Sequence, residues 1–421
     1  MRMQLEEEAL TAIHLPAQTL NLAHQLTARK FEPIDLLEQI AETIEFCSTN
    51  AAAIDRHGAY PAQEFERIAS AGLLTAPLAS NLGGLGLGID ASSIHQLLTI
   101  LKNIGRANLA VGRIYEGHVN GLQLLQTFGT PAQIEAYAKD ARRHKIFGVW
   151  NAEETDGVKI LPLGDGKYRL EGSKTFATGC GCVERPFIGG TLPNGDWQLC
   201  IVSMEKVETA IDPNWWQPAG MRATASYKVD FTGVVLDQSE LIGHPGQYYK
   251  QPWLTAGVVR FAAVQLGGAE ALFNAAREFL LTLNRTQDPY QEERFGKMAI
   301  GLESGRMWLQ GAAQQLEQYH PIFAGDPAVV NPRADALVAY ASMVRTAIEQ
   351  ICMEAIQLTE RSVGTRGLLP PYPIERIVRD LTLYLRQPAF DAALATVGRY
   401  ALKNVEITDS LWTHEPSTHS I

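Results

Sequence analysis

Cysteine is scarce. Five residues (Cys47, Cys180, Cys182, Cys200 and Cys352) are scattered through 421, an odd number that excludes a disulfide scaffold and suits a reducing compartment. Cys180-Gly181-Cys182 has no second pair and no histidine cluster beside it, so no metal site is expected. Basic charge is also short. Thirty-six Lys and Arg against 46 Asp and Glu leave a net charge of −10, which argues against a nucleic-acid-binding face. The one basic run, Arg142-Arg143-His144-Lys145, reads as a solvated helix end. HExxH, GxGxxG, Walker and GxSxG patterns are missing. No uncharged run reaches membrane-spanning length, and residues 1–10 lack the apolar centre of a secretory signal. The expectation is a cytoplasmic protein that binds neither nucleic acid nor membrane.

What is present is an ordered change of pattern. Helical spacing rules the chain up to about residue 146. From Phe147 to about Gly243 it gives way to short β-branched and aromatic runs bounded by turn residues. Residues 168–179 alternate apolar and polar and turn at Gly172, and residues 197–202 and 227–231 follow. These read as antiparallel strands. Before them, Pro33 opens a helix to about Ser48 and Pro61 opens another to Ala71. Four glycines at 83–88 demand close backbone approach or positive φ. Further helices fall at 91–104 and 112–128, and Thr130-Pro131 caps the next.

After the β module come long helices from Trp253, from about Asp288, from Asn331-Pro332, and from Pro373 to about Val405. In the third, Leu337, Ala341, Val344, Ile348, Ile351, Ala355 and Leu358 step by four and three, a seam for packing in a bundle. The fold expected is multidomain α+β: an N-terminal arm (1–36), a helical domain (37–146), a middle antiparallel β domain (147–245) and a C-terminal four-helix bundle (246–421). The crevice between the β module and the helices is the natural ligand site.

Local motifs in that order resemble the acyl-CoA dehydrogenase superfamily. They are the Gly-rich loop at 71–88, Gly220-Met221-Arg222-Ala223-Thr224-Ala225-Ser226, Arg294-Phe295-Gly296-Lys297, and the Tyr372-Pro373 to Arg379-Asp380 helix start. The resemblance implies a flavin, FAD with FMN as the alternative, held between the β module and the bundle. Its ring-contacting stretch falls on Trp150, Ala152 and Glu153. The second flavin strand falls on 174–179, where Phe176 supplies a flat wall and Thr178 a hydroxyl donor. Gln357 falls where the family contacts the adenine half of a neighbouring subunit's FAD, and Arg294 near its pyrophosphate. That in turn implies a homodimer or homotetramer.

Three departures from the family pattern concern the chemistry. The slot of the catalytic glutamate holds Pro388, and the alternative slot before Arg260 holds Val259. The loop after Glu154 is short, and Glu153, Glu154 and Asp156 would repel the phosphates of CoA. The glycine loop after Gln357 is also altered. Removing an α-proton needs a carboxylate within reach, so no catalytic residue is assigned; Asp391 is a nearby candidate base. The leading expectation remains a flavin-dependent oxidoreductase taking hydride at N5 from an acyl thioester or related small substrate, with an electron-transfer partner. The alternative is the superfamily's two-component monooxygenase branch, fed reduced flavin by a reductase. Residues 382–388 resemble that branch, with Arg386 steadying a developing anion and His118 and Tyr115 as pocket partners. A third reading is a flavin-free scaffold.

Overall fold

The computed structural model describes residues 33–319, 334–387 and 389–403; most of the N-terminal arm (1–36) lies outside them. Helix α1 (Pro33–His57) is followed by α2 (Ala62–Ser70), α3 (Ile94–Ala107), α4 (Leu109–Phe128) and α5 (Pro131–Arg142). α1 runs past the expected stop at Ser48, through an alanine-rich stretch with high helix propensity. In α3, Leu97, Leu101 and Ile104 are buried on one side at i, i+4 and i+7. α4 is apolar nearly all round and almost wholly buried, as an interior helix should be. Its first N–H groups are capped by the Asn108 side chain, and Thr130 with Gln133 closes a capping box on α5. The glycine loop does what its composition requires. Gly83, Gly86 and Gly88 take positive φ, and a Cβ on Gly84 would come within 2.0 Å of the Leu78 carbonyl oxygen.

Ten strands follow: β1 (Ile146–Trp150), β2 (Lys159–Gly164), β3 (Lys167–Glu171), β4 (Ser173–Ala177), β5 (Val183–Thr191), β6 (Trp197–Ile201), β7 (Ala210–Asp212), β8 (Tyr227–Asp230), β9 (Val235–Asp237) and β10 (Leu241–Ile242). They form two sheets. The larger runs β10-β6-β5-β2-β3-β9 with β1 also on β5, and the smaller is β4-β8-β7. The module is antiparallel except where β5 meets β1, and at one pair β2, in parallel. The intervening strands provide the long crossover that parallel pairing needs. Gly172 does not make the hairpin turn that its neighbours suggest. At φ +110°, with the Asp156 and Gly157 carbonyl oxygens 2.5 Å from where a Cβ would sit, it passes the chain from β3 in one sheet to β4 in the other.

The C-terminal helices are α6 (Trp253–Ala256), α7 (Val258–Thr282), α8 (Pro289–Gln318), α9 (Ala334–Gly367), α10 (Ile374–Tyr384) and α11 (Phe390–Lys403). α9 breaks at Gly364, whose φ and ψ are not helical. All of its expected seam residues are buried except the half-buried Ile351, and α9 packs on α7 and α8. Helices α6 and α7 together are long and apolar enough to cross a membrane by length and composition, but 65% of that stretch is buried within the protein. α7 crosses α3 closely. A Cβ on Gly105 would fall 2.3 Å from the Val264 carbonyl oxygen, and one on Gly267 would fall 2.1 Å from that of Lys102. The fourth long helix expected from Pro373 is in fact two, α10 and α11, because the chain leaves helix at residues 385–387. A proline restrains the residue before it and supplies no N–H. Pro388 itself lies outside the described residues.

Candidate active site

The site is built on β4. Its register against β8 slips between Lys174 and Ala177, and Phe176 takes φ +52°, a strained conformation for a bulky side chain. The consequence is a ring turned outward. Phe176 is 53% exposed while Ala177 is buried, and Thr178, half-buried, returns to the open side. Phe176 meets Trp215 edge-on at 4.8 Å and Trp216 at 5.9 Å, and the two indoles stack at 6.4 Å. Three aromatic residues therefore form a platform on the small sheet, beside a hydroxyl. Such a surface fits a flat heteroaromatic ring system.

The segment expected to touch a ring runs alongside and buttresses β4. The Trp150 indole is buried and donates to the Thr178 carbonyl at 2.9 Å, so its side chain supports the strand and offers no surface to a ligand. The Ala152 carbonyl accepts from the Thr175 N–H at 2.9 Å. Glu153 pairs with Lys174, whose ammonium lies 5.0 Å from the centre of the Trp197 ring. Burial pulls the Lys174 pKa down while Glu153 opposes it. Thr178 Oγ lies 3.0 Å from Ser226 Oγ, which lies 2.8 Å from Thr224 Oγ. That loop is clamped from α10: Asp380 Oδ1 accepts from the Met221 N–H at 2.6 Å. Burial raises the Asp380 pKa, with Arg376 working against it.

Arg294 and Gln357 lie elsewhere, on α8 and α9. Those helices are joined nearby by Gln291 donating to the Ser362 carbonyl and Thr359 donating to Met298 sulfur. Gln357 is exposed and shares a shallow surface site with Glu360 and Arg361. Among the described residues, no hydrogen bond or ring contact joins Arg294 or Gln357 to β4.

Three expectations are corrected. His118 and Tyr115 are not pocket groups: both are fully buried, Tyr115 donating to the Leu73 carbonyl at 3.0 Å. His118 Nδ1 accepts from the Phe147 N–H at 3.1 Å, so Nε2 carries the proton and donates to the Leu74 carbonyl at 2.8 Å. Burial lowers the imidazole pKa to about 4, so it is neutral and structural. Arg386 turns toward α9, where it reaches Glu349 at 3.6 Å. Asp391 is exposed in the first turn of α11, where its charge suits the helix N-terminus.

A polar seam went unread in the sequence. Glu116, Asn120 and Gln123 recur at i, i+4 and i+7 on α4, one face of a mostly apolar helix. Arg260 of α7 donates to all three, at 3.3, 2.6 and 2.6 Å. The second Glu116 oxygen takes Arg113 at 2.7 Å. Asn120, Gln123 and Arg260 of this seam line a cavity of about 310 Å³ whose other lining includes Asp90, Leu97, Phe128 and Trp253. Asn120 also holds Tyr248, whose pKa burial pushes up to about 12 and whose hydroxyl the Asn151 amide contacts as well. The cavity wall is thereby connected to the segment that supports β4. The spacing on α4 was the available signal, and Trp215-Trp216 flanked by prolines was another.

The description "Acyl-CoA dehydrogenase, N-terminal domain" matches residues 36–144, and "Acyl-CoA dehydrogenase, C-terminal domain" matches residues 259–386. The chain is 24% identical over 406 residues to the dibenzothiophene monooxygenase of Mycolicibacterium goodii, covering 89% of this chain and 95% of that protein. It is 24% identical over 391 residues to the "Probable FMNH2-dependent monooxygenase SfnC" of Pseudomonas putida, covering 88% and 95%. The crystal structure of FMN-bound TdsC from Paenibacillus sp. A11-2 superposes with a TM-score of 0.79 at 21% identity, over 90% of this chain and 100% of that one.

Proposed function

The chain belongs to the acyl-CoA dehydrogenase superfamily as a flavin-dependent oxidoreductase, and on that premise we propose that it is a reduced-flavin-dependent monooxygenase using FMN. The observation that carries this reading is that, among the described residues, none of the positions weighed for the family's base offers a carboxylate free to take an α-proton. Val259 fills one of the family's positions for the base and is buried and apolar. Asp391 faces solvent. Glu116, on the seam beside Arg260, has both oxygens taken by guanidinium groups. Dehydrogenation of a thioester requires such a base; oxygenation does not. The relatives named above as monooxygenases support the same choice and favour FMN over FAD.

Reduced flavin would supply the electron pair with which O2 yields one oxygen atom to the substrate and one to water. This chain's part is to hold and enclose. Phe176, backed by Trp215 and Trp216, presents the flat wall, and Thr178 presents a hydroxyl at its edge. The cavity between α3, α4 and α7 takes the substrate. Its size suits a small ligand, its walls are mostly apolar, and its one guanidinium is already satisfied. A compact, uncharged, apolar substrate, such as a fused-ring sulfur heterocycle, fits those terms better than a CoA ester. A separate flavin reductase is the implied partner. Arg294, on α8, would serve the FMN phosphate of a neighbouring subunit in a homo-oligomer, whereas FMN has no adenine half for Gln357 to contact. We place the protein in the cytoplasm, where its free thiols stay reduced.

Two mixing experiments, each starting from anaerobic protein, test the reading. Oxidised holoenzyme mixed with butyryl-CoA should keep its flavin absorbance. Protein loaded with reduced FMN and then given 18O2 with dibenzothiophene should put the label into product. Bleaching by the acyl-CoA, without label in the second experiment, would refute the proposal in favour of dehydrogenation.

A further inference from the structure

The hydroxyls beside Phe176 form a chain whose proton direction can be worked out. A hydroxyl has one proton to give. Thr224 Oγ donates to the Met221 carbonyl at 2.8 Å, because a carbonyl oxygen can only accept. Thr224 has then spent its proton, so the 2.8 Å contact with Ser226 must be Ser226 donating to Thr224. Ser226 has spent its own in turn, so the 3.0 Å contact with Thr178 must be Thr178 donating to Ser226. The other acceptor recorded for Thr178, the Phe176 carbonyl at 3.4 Å, is also part of the protein. In either case the Thr178 oxygen faces the open side of β4 with lone pairs and no proton.

The chain is held in place at both ends. The Gly179 N–H donates to the Thr224 carbonyl at 2.8 Å, which ties the loop to the end of β4. Asp380 of α10 fixes Met221 at 2.6 Å. A Cβ on Gly220 would strike the Arg379 carbonyl oxygen at 2.3 Å, so loop and helix are in backbone contact.

We infer that Thr178 is an acceptor-only contact that selects the reduced state of the flavin, with Ser226 and Thr224 as positioning residues that set its polarity. The inference rests on the reading of β4 as the flavin platform. Oxidised flavin carries a bare, accepting nitrogen at N5, and reduced flavin carries N–H there. An oxygen with only lone pairs faces the first with no bond and accepts from the second. This reverses the donor role that the family resemblance implies for Thr178. It fits a protein that receives its flavin already reduced and must release it once oxidised.

The test compares affinities for oxidised and anaerobically reduced FMN, by equilibrium dialysis, with the two-electron midpoint potential of the bound flavin as a second readout. One hydrogen bond gained or lost changes a binding ratio by roughly 3- to 10-fold. Wild-type protein should bind reduced FMN more tightly. Ser226→Ala leaves the Thr178 proton free to turn outward and should cut that preference by roughly 3- to 10-fold, lowering the midpoint by about 15–30 mV. Thr224→Val frees the Ser226 proton and should act in the same direction through a different residue, which guards against a local packing effect. Thr178→Ser keeps the hydroxyl and should keep the preference. Equal preference in wild type, Ser226→Ala and Thr224→Val, with flavin bound in all three, overturns the inference but leaves the flavin site standing. If neither redox state binds the wild type, the flavin platform itself fails.

Discussion

Acidification should unfold this protein through one buried imidazole. His118 joins α4 to the loop at Leu74 and to β1 at Phe147, and it does so neutral, with its pKa held near 4. In the unfolded chain it titrates near 6.5. Between those values the unfolded state binds the extra proton, so the stabilisation is complete above pH 6.5 and is lost as pH falls toward 4. Linkage puts the loss at about 1 kcal/mol between pH 7 and 5.5, and about 2 kcal/mol between pH 7 and 4.5. Other groups also titrate over that range, so the readout is a difference. Urea midpoints of flavin-free protein are measured at pH 7, 5.5 and 4.5 for wild type and His118→Asn. The variant starts lower, having lost part of the bridge, but should fall less steeply with acid by the amounts above. Parallel pH profiles for the two proteins would refute the assignment of a neutral, buried His118.

Three other perturbations have defined outcomes. Gly267→Ala puts a methyl group against backbone atoms of α3 that cannot move aside, and should lower stability by about 1–3 kcal/mol in a denaturant melt; an unchanged midpoint would show that the helices do not cross so closely. Asp380→Ala leaves the Met221 N–H and Arg376 without their partner and should cost about 1–3 kcal/mol, with weaker flavin binding as the loop at 220–226 loosens; unchanged stability would mean that the clamp carries no energy. Phe176→Ala should weaken FMN binding by about 0.5–1.5 kcal/mol in a fluorescence titration and barely move the melting temperature, because the ring is largely exposed; a large fall in melting temperature would make it a core residue.

The architecture could be read from the sequence because it is written in repeating patterns. The seam of α9, the strands at 197–202 and 227–231 and the capping of α5 are local periodicities, and local periodicity survives without knowledge of the fold. Phe176 and Thr178 were marked by resemblance, and the structure puts them side by side on one open face. The misses share a physical cause. Whether His118 faces a pocket or a backbone carbonyl depends on which loop packs against α4, a contact 44 residues away in the chain. Arg260 satisfying Glu116 spans 144 residues, and Asp380 holding Met221 spans 159. The parallel pairing of β1 with β5 also depends on distant strands, and no run of adjacent residues encodes it.

The hand-over at Gly172 decides what the aromatic platform moves with. Because β4 leaves the broad sheet there and pairs with β8, Phe176 is carried on a small three-stranded raft tethered to α10 through Met221. The docking angle of the C-terminal helices is thus transmitted to the surface where a ring would rest, while the broad sheet reaches β4 through Trp150 of β1 and the segment that follows it. Substitutions in α10 should therefore be felt at the platform sooner than equally disruptive ones in β6 or β10.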